Sequence, residues 1–253
     1  MECEKYDFMN GLLKREVTGE DDFLNKMEGL LGKALSSRQK LTRSYLLSYP
    51  LMKDYFSKVE DIDLNKFTLG VYMIYGWMPR ALRFNGGELI REEEFIRLKA
   101  KLLEMKGWDE KRFLKVVSAD DGDAGQKSVD KENALLSLKK VTNGSIVGMS
   151  KLLHFINPKI FPIYDSNIAE VVGEVKTVDE YFAYVKAFHE FAGKVSKCDE
   201  VKFEQIRSDF EKACCEEFKN QKNLEVTRVR AIELVLFQIG KSVKDSRKAT
   251  KRS

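Results

Sequence analysis

The sequence predicts an all-α protein, a two-lobed helical bundle, and three observations carry that prediction. Only four prolines interrupt 253 residues, so long helices are seldom broken. Apolar residues recur at three- and four-residue intervals, the period of one helix face. No segment alternates apolar and polar residues long enough to mark a strand, although Ile160–Tyr164 reads as briefly extended.

A first helix is expected over Asp21–Leu35, with Phe23, Leu24, Met27, Leu30 and Leu31 on one face. Acids open it, where the helix dipole favours negative charge. Ser37–Phe56 continues through Leu41, Tyr45, Leu46 and Tyr49, and Pro50 is expected to kink or divide it. Asp63 can cap a third helix reaching about Tyr75. Gly76-Trp-Met-Pro79 then breaks the chain, and Asn85-Gly-Gly87 is a turn. Between them, Trp77 beside Arg80 and Arg83 reads either as a base-stacking, phosphate-holding group or as a core aromatic with surface arginines.

Glu92–Lys106 is amphipathic, with Phe95, Leu98, Leu102 and Leu103 inward, and Trp108–Val117 is a shorter helix. Ser118–Lys127 is the clearest loop, a lobe boundary or the lip of a site. Its aspartates lack the spacing and the closing glutamate of a calcium-binding EF-hand. Ser128–Val141 returns to helix. Thr177–Val195 places Tyr181, Phe182, Tyr184, Val185, Phe188 and Phe191 in a core. Asp199–Asn220 and Val226–Gly240 follow; the last buries Ile232, Val235, Leu236 and Ile239, with Arg228, Arg230 and Glu233 decorating its surface. The expected organisation is an N-terminal helical segment (1–62), a helical core (63–240) and a basic flexible tail (241–253).

Composition narrows the chemistry. No window approaches a membrane span, and Met-Glu-Cys-Glu-Lys at the start lacks the apolar core of a signal peptide. Cys3, Cys198, Cys214 and Cys215 form no Cys-x-x-Cys pair, and His154 and His189 are the two histidines. Zinc or iron–sulfur ligation is therefore not expected, and a reduced, cytoplasmic chain without metal or organic cofactor is. After Gly240, six basic residues face Asp245 alone, a net +5 that leaves −1 for residues 1–240 of the chain's +4. Such a tail suits phosphate binding or a merely solvated end.

The most constrained segment is 144–168, which holds Pro158 and Pro162. A helix starting near Gly148 or Met149 would offer unpaired N–H groups to an anion such as a phosphate, with Ser150 beside them. Lys151 would fall in its first turn, where the dipole opposes its charge and lowers its pKa toward that of a nucleophile. His154 lies three residues on, along the same face. Pro158 ends the helix, and Asp165 is placed to cap Ser166–Val172. An amine and a carboxylate are what attack on a sugar C1′ needs, the second steadying the cationic transition state. Taken one at a time, Lys151 also reads as a surface lysine, Asp165 as a cap and His154 as a core histidine.

A helix, a glycine-containing hairpin, a lysine-bearing helix and a return ending in Pro-x-x-Asp resembles the helix-hairpin-helix DNA glycosylases, the 8-oxoguanine branch above all. The matching segments are Val147-Gly-Met-Ser-Lys151 and Phe161-Pro-Ile-Tyr-Asp165, with Val147 and Met149 where the family has glycines. Tyr75-Gly-Trp-Met-Pro79 and Arg230-Ala-Ile-Glu-Leu-Val-Leu-Phe237 extend the likeness, over about residues 65–240, to uncharacterised bacterial and phage proteins assigned to that fold. The resemblance implies a DNA glycosylase, with or without a lyase step, acting on double-stranded DNA. Lys151 would be the nucleophile and Asp165 its assisting carboxylate. Gly148, Met149, Ser150, His154, Trp77, Arg80 and Arg83 would meet the nucleic acid. The alternative is a non-catalytic nucleic-acid-binding or interaction module on the same fold.

Overall fold

A computed structural model describes residues 17–36, 40–76, 90–118, 138–142, 144–217 and 225–250. Among these the chain is all-helical and without strands. The elements are α1 (Glu20–Ser36), α2 (Lys40–Ser57), a 3₁₀ turn (Val59–Asp61), α3 (Leu64–Gly76), α4 (Glu92–Lys106) and α5 (Glu110–Ser118). Then come α6 (Ile146–Ile156), α7 (Ile168–Val172), α8 (Val178–Cys198), α9 (Glu200–Glu217) and α10 (Arg228–Thr250). The turn at Asn85-Gly-Gly87, the loop from 119 to 127 and the first ten residues of the expected helix Ser128–Val141 lie outside the described residues. Its end, 138–141, is helical. No described helix is long and apolar enough to cross a membrane.

Short polar side chains start most of these helices by taking up first-turn N–H groups. Asp63 accepts from Lys66 N at 2.8 Å, Asp109 from Arg112 N at 2.6 Å and Asp199 from Lys202 N at 2.9 Å. At α8, Thr177 Oγ1 accepts from Glu180 N while Glu180 Oε2 accepts from Thr177 N, a reciprocal box. Pro50 neither ends nor divides α2, which runs on to Ser57. Leu103, expected inward, is 37 % exposed.

The chain separates into two compact units that interleave along the sequence. One comprises Met1–Pro50, Tyr164–Val175 and Ala183–Ser253; the other comprises Leu51–Ile163 and Lys176–Phe182.

In the first unit α10 packs on α1 and α7, and α9 packs on α1. Phe23 meets Phe191 edge-on at 5.0 Å, and Lys202 Nζ donates to Asn25 Oδ1. The segment Tyr164–Val175 is tied at both ends by one phenol: Tyr164 Oη donates to Gly173 O at 3.1 Å and accepts from Val175 N at 2.9 Å. The expected flexible tail is helical through Thr250, so α10 outlasts Gly240 by ten residues; 251–253 lie outside the described residues. Arg230 and Glu233, expected on the surface, are 5 % and 3 % exposed. They pair with each other, and the guanidinium sits 4.6 Å above the Tyr49 ring. Desolvation of both charges is met by that pairing and by the ring face.

In the second unit α6 packs on α3 and α4. Phe113, Phe161 and Phe182 stack or meet edge-on at 6.0–6.4 Å. Gly70 lets α3 close on α2, since a Cβ there would lie 2.7 Å from the Phe56 ring.

Candidate functional site

The turn before α6 is set by two small residues. Gly144 takes φ +73°, and its N–H reaches back to Lys139 O at 2.8 Å, closing the end of the preceding helix. The buried Thr142 hydroxyl lies 3.1 Å from the carbonyls of Leu138, Lys139 and Ser145. Ser145 is the N-cap, and its Oγ accepts from Gly148 N at 3.1 Å.

This start differs from the sequence expectation in a way that matters chemically. The helix begins at Ile146, not at Gly148 or Met149, so Lys151 stands in the second turn. The dipole argument for its reactivity falls with that shift, because the effect fades beyond the first turn. Gly148 is buried with its N–H on Ser145, and Met149 and Ser150 are each 0 % exposed. Ser150 Oγ donates to Val147 O at 2.9 Å. The three residues expected to hold DNA phosphate are therefore enclosed by protein.

The helix Ile-Val-Gly-Met-Ser-Lys-Leu-Leu-His-Phe-Ile is buried at every position but Val147. A helix apolar nearly all round belongs in an interior, and the few polar side chains on it need partners there. His154 is 0 % exposed, and its Nδ1–H donates to Phe161 O at 2.7 Å, which fixes the tautomer at that nitrogen. It is a core histidine closing the return after Pro158.

Asn157, which sequence reasoning passed over, is the polar centre of this region. At 5 % exposure, its Nδ2 group donates to Met105 O, Lys106 O and Trp108 O at 3.0, 3.2 and 2.9 Å. Its Oδ1 accepts from Lys159 N at 3.3 Å. One amide thus ties the end of α6 to the turn between α4 and α5. An Asn before Pro was the available signal, and it read only as a helix stop.

Lys151 remains, and it is 6 % exposed. It is not the surface lysine that its spacing also allowed. It belongs to the second unit, whereas Asp165 belongs to the first.

Asp165 does cap the helix that the sequence assigned to it. Its Oδ1 accepts from Asn167 N at 2.8 Å and Ile168 N at 2.9 Å, and its carbonyl accepts from Ala169 N at 2.8 Å. The helix starts at Ile168, two residues later than expected. Burial, and then the Asp165 carboxylate, push the half-buried Tyr45 phenol above its usual range. Trp77, Arg80 and Arg83 lie outside the described residues. Among the described residues no three His, Cys, Asp or Glu side chains cluster as a metal site. No protein-family model matches the chain, and no curated protein and no solved structure matches it.

Proposed function

We propose that the chain is a DNA N-glycosylase of the helix-hairpin-helix type, removing a damaged or modified base with Lys151 as its amine nucleophile. The observation that carries the reading is the burial of Lys151, 6 % exposed, on the enclosed helix α6. Lysine is seldom enclosed, and burial is how an amine is turned toward nucleophilic work. Enclosure also fixes the direction of the amine, as attack on one carbon requires.

The target base would first be turned out of the stack. Lys151 Nζ would bond to C1′ of the deoxyribose as the glycosidic bond breaks. The bonding pair leaves with the base, which takes up a proton. Nζ then loses one proton, and as the C1′–O4′ bond breaks its electron pair stays on O4′, which takes up the second Nζ proton and leaves an imine. By the resemblance Asp165 is the assisting carboxylate. Asp165→Asn keeps an oxygen for the cap while removing the charge.

Borohydride reduces that imine to a stable adduct. Incubated with duplexes carrying oxidised, alkylated or bulky modified bases, the protein is expected to become covalently attached to at least one. Lys151→Ala and Lys151→Gln, each checked for an unchanged melting temperature, should lower the yield by about a thousandfold or more. Asp165→Asn should slow base release by about a hundredfold. A panel that gives neither adduct nor abasic site sinks the reading.

One observation favours a second reading, a non-catalytic module. Ser145, Ser150, His154 and Asp165 all already serve nearby backbone groups. That reading expects DNA binding with a steep salt dependence, unaltered in Lys151→Gln and Asp165→Asn.

A further inference from the structure

The basic residues after Gly240 were expected to grip phosphate or to end in solvent, but two of them, Lys244 and Arg247, reach the segment that carries α7. Gly240, Lys244 and Arg247 are spaced i, i+4, i+7, one stripe of α10. At Gly240 the helix comes so close to the chain that a Cβ would lie 1.9 Å from Asn167 O. One turn on, Lys244 Nζ donates to Ser166 Oγ and Ser166 O at 3.2 and 3.4 Å. A further turn on, Arg247 pairs with Glu170. The three contacts cover residues 166, 167 and 170, and Asp165 binds the same segment from within through Asn167 N and Ile168 N. A helix of five residues is too short to hold itself.

We propose that the C-terminal part of α10 is an internal clasp on the Asp165 turn, with Lys244 and Arg247 as positioning residues for that carboxylate. The clasp stands on these contacts alone; its bearing on base release rests on the glycosylase reading. Lys244 and Arg247 then serve the fold, and their charges are engaged before any phosphate arrives.

The test is amide hydrogen exchange on the full chain, comparing the parent with Lys244→Met/Arg247→Leu. The amides of Asn167, Ile168 and Ala169 should exchange about tenfold faster or more, with those of α9 unchanged. Reversing the pair, Arg247→Glu with Glu170→Arg, should restore protection that Arg247→Glu alone loses, which a general loss of stability would not do. Unchanged exchange at 167–169, or no rescue by reversal, overturns the clasp. On DNA, the double variant should release base about tenfold more slowly with its affinity and salt slope kept. Lost affinity with a shallower salt slope would instead mark the two side chains as phosphate contacts and overturn their positioning role. If exchange responds as stated while the parent excises no base, the clasp stands and the glycosylase reading alone fails.

Discussion

Asn157→Ala is expected to cost about 3 kcal/mol and to lower the melting temperature by about 10 °C. The loss is not mainly that of the bonds themselves, since each exchanges with water on unfolding. It comes from what stays behind: the carbonyls of Met105, Lys106 and Trp108 lose a shared donor in a buried place. Asn157→Asp should be worse than Ala near neutral pH, because it turns a carboxylate toward three carbonyl oxygens. A thermal melt decides it. If Asn157→Ala melts within a degree of the parent, the turn between α4 and α5 is held by something else.

Gly240→Ala is the second large effect, and its sign is a contest. Alanine is the better helix former by about 1 kcal/mol, so helix propensity alone predicts stabilisation. Against it stands a methyl carbon 1.9 Å from Asn167 O and 2.7 Å from its carbonyl carbon. Both are backbone atoms of a capped turn, so α10 and α7 must separate. The clash should win, for a net loss of about 3 kcal/mol. Gly29→Ala is the matched control. Gly29 is exposed within α1, and nothing lies within 4 Å of its would-be Cβ. It should gain about 1 kcal/mol. Chemical denaturation of the two variants side by side tests both signs, and a stabilised Gly240→Ala would mean that α10 does not pack closely on Asn167.

The helices were legible because a half-buried helix repeats every three or four residues, and α1, α4 and α8 obey that period. Caps were legible too: Asp63 and Asp165 each precede an apolar run, and each holds a first-turn amide. The centre of the candidate site was harder to read, for a physical reason. α6 is enclosed nearly all round, so its pattern has no polar face from which to assign Lys151 or His154 a direction. Its start was hidden because Ile146 and Val147 follow a glycine and a serine and looked like a turn; the cap on Ser145 makes them the first helical residues. Arg230 and Glu233 were assigned outward on the rule that charge faces water, and their mutual pairing is what suspends that rule. Asn157 binds carbonyls about fifty positions away, a relation that no local pattern contains. The stripe Gly240, Lys244 and Arg247 was visible in spacing, but its net charge suggested a phosphate grip or a solvated end, and neither reading looks inward to another segment of the chain.

The interleaving of the two units bears on the order in which the protein can be made. The second unit has every residue it needs once Phe182 has been synthesised. The first does not: α1 buries Phe23, Leu24, Met27 and Leu31, and its packing partners α9 and α10 follow only after residue 199. At about 5–20 residues per second, the 180 residues between Glu20 and Glu200 keep that apolar face waiting for roughly ten seconds or more. During that interval α1 is a candidate for a ribosome-associated chaperone. A nascent chain stalled far enough past Phe182 for the second unit to clear the ribosomal tunnel, with α9 and α10 not yet emerged, should present α1 to a protease while holding the second unit resistant.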